Sequence, residues 1–349
     1  MKGILNYLFL LVVFSLALTA CSMPGVAAKQ ADTPTPEPPV PPPAVDTPAS
    51  VQHELVPVSL PSERDNQAGD HDSSITAAKR YAPGGDRFSR GTYERPFNAE
   101  TMDVYFPYLD IVNTQVYDDD TWLYGSITLR GMDQDSTLPG QYMMEIDVDR
   151  DGRGDWLVGV TNPASEDWSS DGVRVWRDSN DDVGGNAAYI ADDNPPYSDG
   201  YELLVYDEGR GSKPDAAFAR RSGDDPQTVE LAIQKALFED DQGFLVGMWA
   251  GNDLDPAMFD FNDHMTQEQA GAADPGLEYF YPIKDLAEMD NACRMPVGFE
   301  PTGQEPGLCP ALAPRQPGQP VPGGCQPPPG GCGSNSSWVG EPDCSCTPF

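Results

Sequence analysis

The chain has 349 residues, of which 56 are acidic and 21 basic, giving a formal net charge of −35. Such a field repels phosphate backbones and anionic headgroups, so no nucleic-acid partner is expected. Hydrophobic residues make up 39%, alongside 34 Gly and 36 Pro, which fits a globular body with disordered flanks better than a chain disordered throughout.

The first element, residues 1–20, reads as a leader. Met1-Lys2 is a short positive start, and Ile4 to Leu18 is an apolar run broken only by Asn6 and Ser15. That length suits a secretory h-region and falls short of the roughly 20 residues of a spanning helix. It ends in Leu18-Thr19-Ala20-Cys21, which resembles the bacterial lipobox. The resemblance implies acylation at Cys21, cleavage before it, and an extracytoplasmic body tethered to the cell membrane. Two or more acyl chains satisfy the requirement for stable anchoring.

Residues 21–94 read as a stalk. Eleven prolines fall within 24–61, a composition that favours extended polyproline II and acts as a semi-rigid spacer. His53 and His71 are placed in this stalk.

Residues 95–292 carry 42 acidic and 12 basic residues and form the expected body. Short β-rich runs recur at 104–109, 111–117, 121–129, 141–148, 156–161, 173–176, 201–206, 228–233 and 244–249, separated by Gly, Asp and Asn. This pattern predicts a mainly β fold, an antiparallel, jelly-roll-like β-sandwich with few short helices. The helices are expected at Thr266–Ala272, opened by Thr266 and Gln269 as a capping box, and at Lys284–Asn291.

The sharpest motif is Asp147-Val148-Asp149-Arg150-Asp151-Gly152-Arg153-Gly154-Asp155. Alternating carboxylates converge on one ion while Gly permits the sharp turn, as an oxygen-only Ca²⁺ loop requires. Asp147, Asp149, Asp151 and Asp155 offer side chains, and Arg153 its carbonyl. Position twelve is Val158 rather than Glu, and β-runs flank the motif, so it is not an EF-hand. A solvated hairpin turn is the plain alternative. Asp178, Asn180 and Asp182 space oxygen ligands in the same way and form a second, weaker candidate. Asn252 to Asp255 and Asp260 to His264 read as acidic turns, with ion ligation as the alternative.

The order of Trp122 to Ile127, Ile146 to Gly152, Val229 to Ile233 and Phe244 to Trp249 is similar to the β-sandwich of family 9 carbohydrate-binding modules and DOMON-type domains. The match spans roughly 104–256. It implies a sandwich that binds sugars or haem, or mediates contacts. The haem reading lacks a histidine inside the matched region, and Met248 is the nearest thing to an axial ligand. The sugar reading needs an exposed aromatic platform, for which Trp168 in a polar loop is the best candidate. The body also resembles bacterial surface lipoproteins of unassigned function.

Catalytic signatures are sparse. There is no Gly-x-Ser-x-Gly elbow, no His-Glu-x-x-His and no phosphate loop. His264 is the single histidine of the body. A carboxylate pair for glycoside hydrolysis has too many candidates in so acidic a chain to single out one.

The tail, 293–349, is rich in Cys, Pro and Gly. Cys293, Cys309, Cys325, Cys332, Cys344 and Cys346 make an even set, which outside the cytoplasm suggests disulfides. Cys293 and Cys309, nearest at the edge of the body, are expected to pair. The last four read as cross-links that replace a core, with zinc ligation as the alternative. Taken together, the sequence predicts a surface lipoprotein bearing a calcium-stabilised binding or adhesion module for a glycan or wall component. A structural envelope protein with an acidic surface and a carboxylate-dependent hydrolase are the rivals.

Overall fold

The computed structural model describes residues 51–80, 82, 91–183, 200–238, 243–259, 261–265, 286–303, 305, 307–309, 336–339 and 345–348. The leader, Cys21, the expected helix at 266–272, and Cys325, Cys332 and Cys344 lie outside them.

The fold is mainly β. In chain order the strands are β1 (Asn66–Gly69), β2 (Glu94–Arg95), β3 (Ile111–Asp118), β4 (Trp122–Leu129), β5 (Gln141–Asp147), β6 (Trp156–Thr161), β7 (Val173–Arg177), β8 (Leu203–Asp207), β9 (Ala217–Arg221), β10 (Thr228–Gln234), β11 (Phe244–Gly251), β12 (Met289–Asn291), β13 (Met295–Val297), β14 (Ser336–Val339) and β15 (Ser345–Pro348). One sheet has the order β1-β3-β4-β10-β9. The other runs β2-β12-β11-β5-β6-β7-β8, with β13 also on β11. The strand pairs are antiparallel, so the expected antiparallel sandwich is observed. β14 and β15 make a separate hairpin.

The core lies between the two sheets. Ile111, Leu123, Ile127, Met144, Ile146, Val158, Leu231, Val246 and Met248 are all buried in it. Period-two alternation sends the neighbouring side chains to the opposite face. On β5, β6 and β11 those neighbours are Met143, Leu157 and Trp249, which form a second cluster with Leu254, Phe259 and Phe261. Both faces of these central strands are therefore covered. Removing a buried Leu side chain from such a core costs about 2–5 kcal/mol.

Two differences from the sequence reading concern boundaries. Residues from 51 onward lie against the sandwich rather than leading up to it: β1 pairs with β3, Asn66 opposite Val116, and Leu60 packs against Trp122, Tyr124 and Phe218. At the other end, β13 and a Cys293–Cys309 disulfide carry the body past residue 292.

The helix expected at Lys284–Asn291 is not seen in its described part. Met289–Asn291 is β12, held between β11 and β2. Strand pairing on both sides and a side-chain bond from Asp290 to the Ile111 amide override the local helical pattern. The run at 104–109 forms only an isolated bridge, Phe97 with Tyr105.

Candidate metal centre

Asp147 ends β5, Trp156 opens β6, and the motif at 147–155 is the hairpin between them. Asp147 is buried and organises the turn. Its Oδ1 accepts the Arg150 amide at 2.6 Å and its Oδ2 the Gly152 amide at 2.9 Å. Asp149 Oδ1 accepts the Asp151 amide at 3.1 Å, and Asp151 Oδ1 the Arg153 amide at 2.9 Å. Asp155 turns back to accept the Val148 amide at 2.5 Å. Gly152 has φ of +98°, a region that a side chain rarely adopts. Gly154 is needed for a different reason: a Cβ there would meet the Tyr201 hydroxyl and Glu145.

The structure brings one carboxylate oxygen each of Asp147, Asp149 and Asp151 within 4.8 Å of one another. A carboxylate oxygen that accepts one amide still has a lone pair, so the turn bonds leave this cluster able to ligate. The donors are all oxygen, which suits a hard cation and not zinc. Burial pushes Asp147 up to about 7 and Asp155 up to about 6, with Asp149 and Asp151 adding repulsion at Asp155. Burial also raises Asp151. Charge gathered in this way resists ionisation unless a cation offsets it.

Two arginines border the loop. Arg294 donates to the Gly152 carbonyl and, at 3.2 Å, to Glu145 Oε2. Arg153 Nη1 donates to the Asp181 carbonyl at 2.6 Å, and its Nε stands 3.7 Å from Asp151 Oδ2. Glu145 is itself buried, accepting from the Tyr201 hydroxyl at 3.0 Å and the Trp249 indole at 3.2 Å.

The second candidate lies beside the first. Asp178 follows β7, and its amide donates to the Asp155 carbonyl at 3.0 Å. Asp178 Oδ1 accepts the Asn180 and Asp181 amides at 3.0 Å each, and Oδ2 the Val183 amide at 2.8 Å. Asn180 donates to Asp182 at 3.1 Å. Asp178, Asn180 and Asp182 thus bond to the turn's own backbone and to each other. Burial raises Asp178.

A third acidic cluster escaped the sequence reading. Glu94 on β2, Asp110 just before β3, and Asp290 on β12 are buried, with one oxygen of each within 4.8 Å of the others. They come from segments up to 196 residues apart in number. No local motif announces them; only Asp110, between Leu109 and Ile111, is an acid inside a short apolar stretch.

The chain matches no family model, no curated protein and no solved structure.

The likeness to family 9 modules therefore rests on the residues alone, and the aromatic side chains bear on it. Trp122, Trp156 and Trp249 are buried; Trp168 and Trp176 are half-buried. Trp168 packs on Tyr124 at 5.9 Å between ring centroids, and the Arg220 guanidinium lies 4.5 Å over its ring. The guanidinium covers one face of the ring, and the indole is half-buried. Met248 is fully buried between the sheets, and a Cβ on Gly125 would meet its methyl group.

His53 is held on the body. Its Nδ1 lies 2.8 Å from Asp215 Oδ1, and its Nε2 3.2 Å from Ser170 Oγ. Asp215 Oδ2 accepts the Glu54 and Leu55 amides at 3.0 and 2.9 Å. The connectivity is that of a serine triad, but Ser170 is buried. The Ser169 and Asp171 amides beside it are bonded to Ala219 O and Ser169 Oγ, which leaves neither to stabilise an oxyanion. The arrangement clamps residues 53–55. His264 is partly buried near the Phe259 carbonyl at 3.3 Å, and burial lowers its pKa.

Among the described residues no helix is long and apolar enough to cross a membrane.

Proposed function

We propose that the chain is a surface lipoprotein whose β-sandwich is a calcium-stabilised, non-catalytic binding or adhesion module. The observation that carries this reading is the convergence of Asp147, Asp149 and Asp151 at the β5–β6 turn. Calcium there offsets the repulsion between the carboxylates and fixes the hairpin, so that binding adds to folding stability. Extracellular modules bind Ca²⁺ at about 10⁻⁴–10⁻³ M, concentrations met outside the cytoplasm. The Leu18 to Cys21 lipobox supports that address. Cys21→Ala is expected to move the protein from the membrane fraction to the soluble fraction.

The ligand class we assign is a polyhydroxylated glycan or wall component. What supports it is a groove of about 280 Å³ lined by Thr161, Asn162, Ser165, Ser169, Asp171 and Arg220. Hydroxyl, amide and charged groups of this kind pair with sugar hydroxyls. The test is glycan-array and wall-fraction binding in calcium, repeated with Asn162→Ala and Arg220→Ala. Binding that both variants lose supports the assignment. Recovery of an envelope protein in place of any glycan would favour the structural reading, and turnover of chromogenic glycosides the hydrolase.

A further inference from the structure

Glu94 and Asp290 face each other across the β2–β12 pair. Like charges directly opposite in a sheet are destabilising, and here both are buried. Asp110 joins them, and Asp70 lies close enough to act on both Asp110 and Asp290 electrostatically. Four acids thus share one interior region. Asp70, Asp110 and Asp290 have no ion-pair partner among the described residues.

Part of the hydrogen-bonding capacity of these acids is engaged. Asp290 Oδ2 accepts the Ile111 amide at 2.6 Å. Asp110 Oδ2 accepts the Ser73 amide at 3.0 Å and the Tyr105 hydroxyl. Glu94 Oε1 accepts the Ser73 hydroxyl at 2.5 Å. The other oxygens, Asp110 Oδ1 and Asp290 Oδ1, are buried with no hydrogen-bond partner, as is Asp70 Oδ2. Both Asp110 and Asp290 are 0% exposed. An unpaired buried acceptor costs roughly 1–3 kcal/mol, more when charged. Two such acceptors within one cluster of converging carboxylates, with a third on Asp70, point to a missing positive partner.

We propose that Glu94, Asp110 and Asp290 ligate a hard divalent cation of the calcium class, which locks residues 66–80 and β12 onto the sandwich. Oxygen-only ligation suits calcium better than zinc, which favours Cys and His, and three converging carboxylates exceed the one or two that usually hold magnesium. The ion joins segments distant in the chain: Ser73 is bonded to two of the ligands, Asp110 precedes β3, and Asp290 sits in β12. This site is independent of the hairpin at 147–155.

The test uses the whole chain carrying Asp149→Ala and Asp151→Ala, which removes the hairpin from the count. Calcium binding is measured by equilibrium dialysis, with and without added Glu94→Gln or Asp290→Asn. One bound calcium per chain is expected, weakened at least about tenfold by either added substitution. Amide exchange at Ser73 and Ile111, read in the chain with Glu94 and Asp290 intact, is expected to slow in calcium. That second readout decides the matter if Asp290→Asn does not fold. A chain that binds no calcium and shows unchanged exchange at Ser73 and Ile111 would overturn the proposal, as would a count insensitive to both substitutions. A cluster satisfied by protons alone gives that result. Loss of the hairpin site alone leaves the expected count intact, so the two sites fail separately.

Discussion

Asp147 and Asp178 close neighbouring strand ends with the same pair of hydrogen bonds. Each accepts, on one oxygen, the amide three residues on and, on the other, the amide five residues on: Arg150 and Gly152 for Asp147, Asp181 and Val183 for Asp178. The two turns are tied together by Asp178 N to Asp155 O and by Arg153 to Asp181 O. The β5–β6 turn and residues 178–183 after β7 therefore form one acidic end of the large sheet.

Asp178→Ala is expected to destabilise the fold by about 1–3 kcal/mol, because the amides it satisfies lose their acceptor. Asp178→Asn retains an acceptor oxygen and is expected to cost less. Urea unfolding of the two variants checks this. Equal midpoints would mean that the side chain does not organise the turn.

Arg294 joins the post-β12 segment to the hairpin through Gly152 and Glu145. Arg294→Met leaves the Glu145 charge buried and is expected to cost about 3–5 kcal/mol. Adding Glu145→Gln should recover much of that loss. The double-mutant cycle, read by denaturant unfolding, gives the coupling; additive effects would show that the pair is not acting as one unit.

The β architecture was largely legible in the chain. The runs at 121–129, 141–148, 156–161, 228–233 and 244–249 became β4, β5, β6, β10 and β11, because β-branched and aromatic residues bounded by turn formers carry a strong local signal. β1, Asn66-Gln67-Ala68-Gly69, is polar and small, and is a strand through backbone pairing with β3. β9, Ala217 to Arg221, has no β-branched residue, yet it pairs along β10. Such strands are set by their partners, which no local pattern reveals. The same holds for the sites: Asp147, Asp149 and Asp151 are neighbours in the chain, whereas Glu94, Asp110 and Asp290 meet only in the fold. The His53 to Asp215 contact spans 162 residues and hid a docked segment inside an apparent stalk.

That clamp has a pH dependence. Burial raises Asp215, but the Leu55 amide, the His53 side chain and the Glu54 amide together hold it below the usual carboxylate range. A depressed carboxylate contributes stability above its unfolded value and loses it as pH falls through the folded one. Docking of residues 53–55 is therefore expected to weaken below about pH 4. Amide exchange at Glu54 and Leu55 should accelerate there beyond the intrinsic trend, and Asp215→Asn should remove that pH step. A step that persists in the variant would assign it to another group.

The Cys293–Cys309 bridge closes a loop of sequence separation 16. Loops of this size gain about 3 kcal/mol in the chain-entropy account. Reduction, or Cys293→Ser with Cys309→Ser, is expected to lower the melting temperature accordingly. Differential scanning calorimetry with and without reductant measures it; an unchanged midpoint would place the segment's stability in β13 alone.

The most direct measurement is a thermal melt of the whole chain in excess EDTA and then in millimolar Ca²⁺, repeated with Asp149→Ala and Asp151→Ala. With a Kd of about 10⁻⁴–10⁻³ M, about 1 mM Ca²⁺ stabilises by roughly 0.4–1.4 kcal/mol, a rise of roughly 1–6 °C for a body of this size. The account predicts that rise in the unsubstituted chain and a clear reduction of it when the two loop aspartates are removed. A calcium response of the same size in the substituted chain, or none in either, would contradict a calcium role for the hairpin.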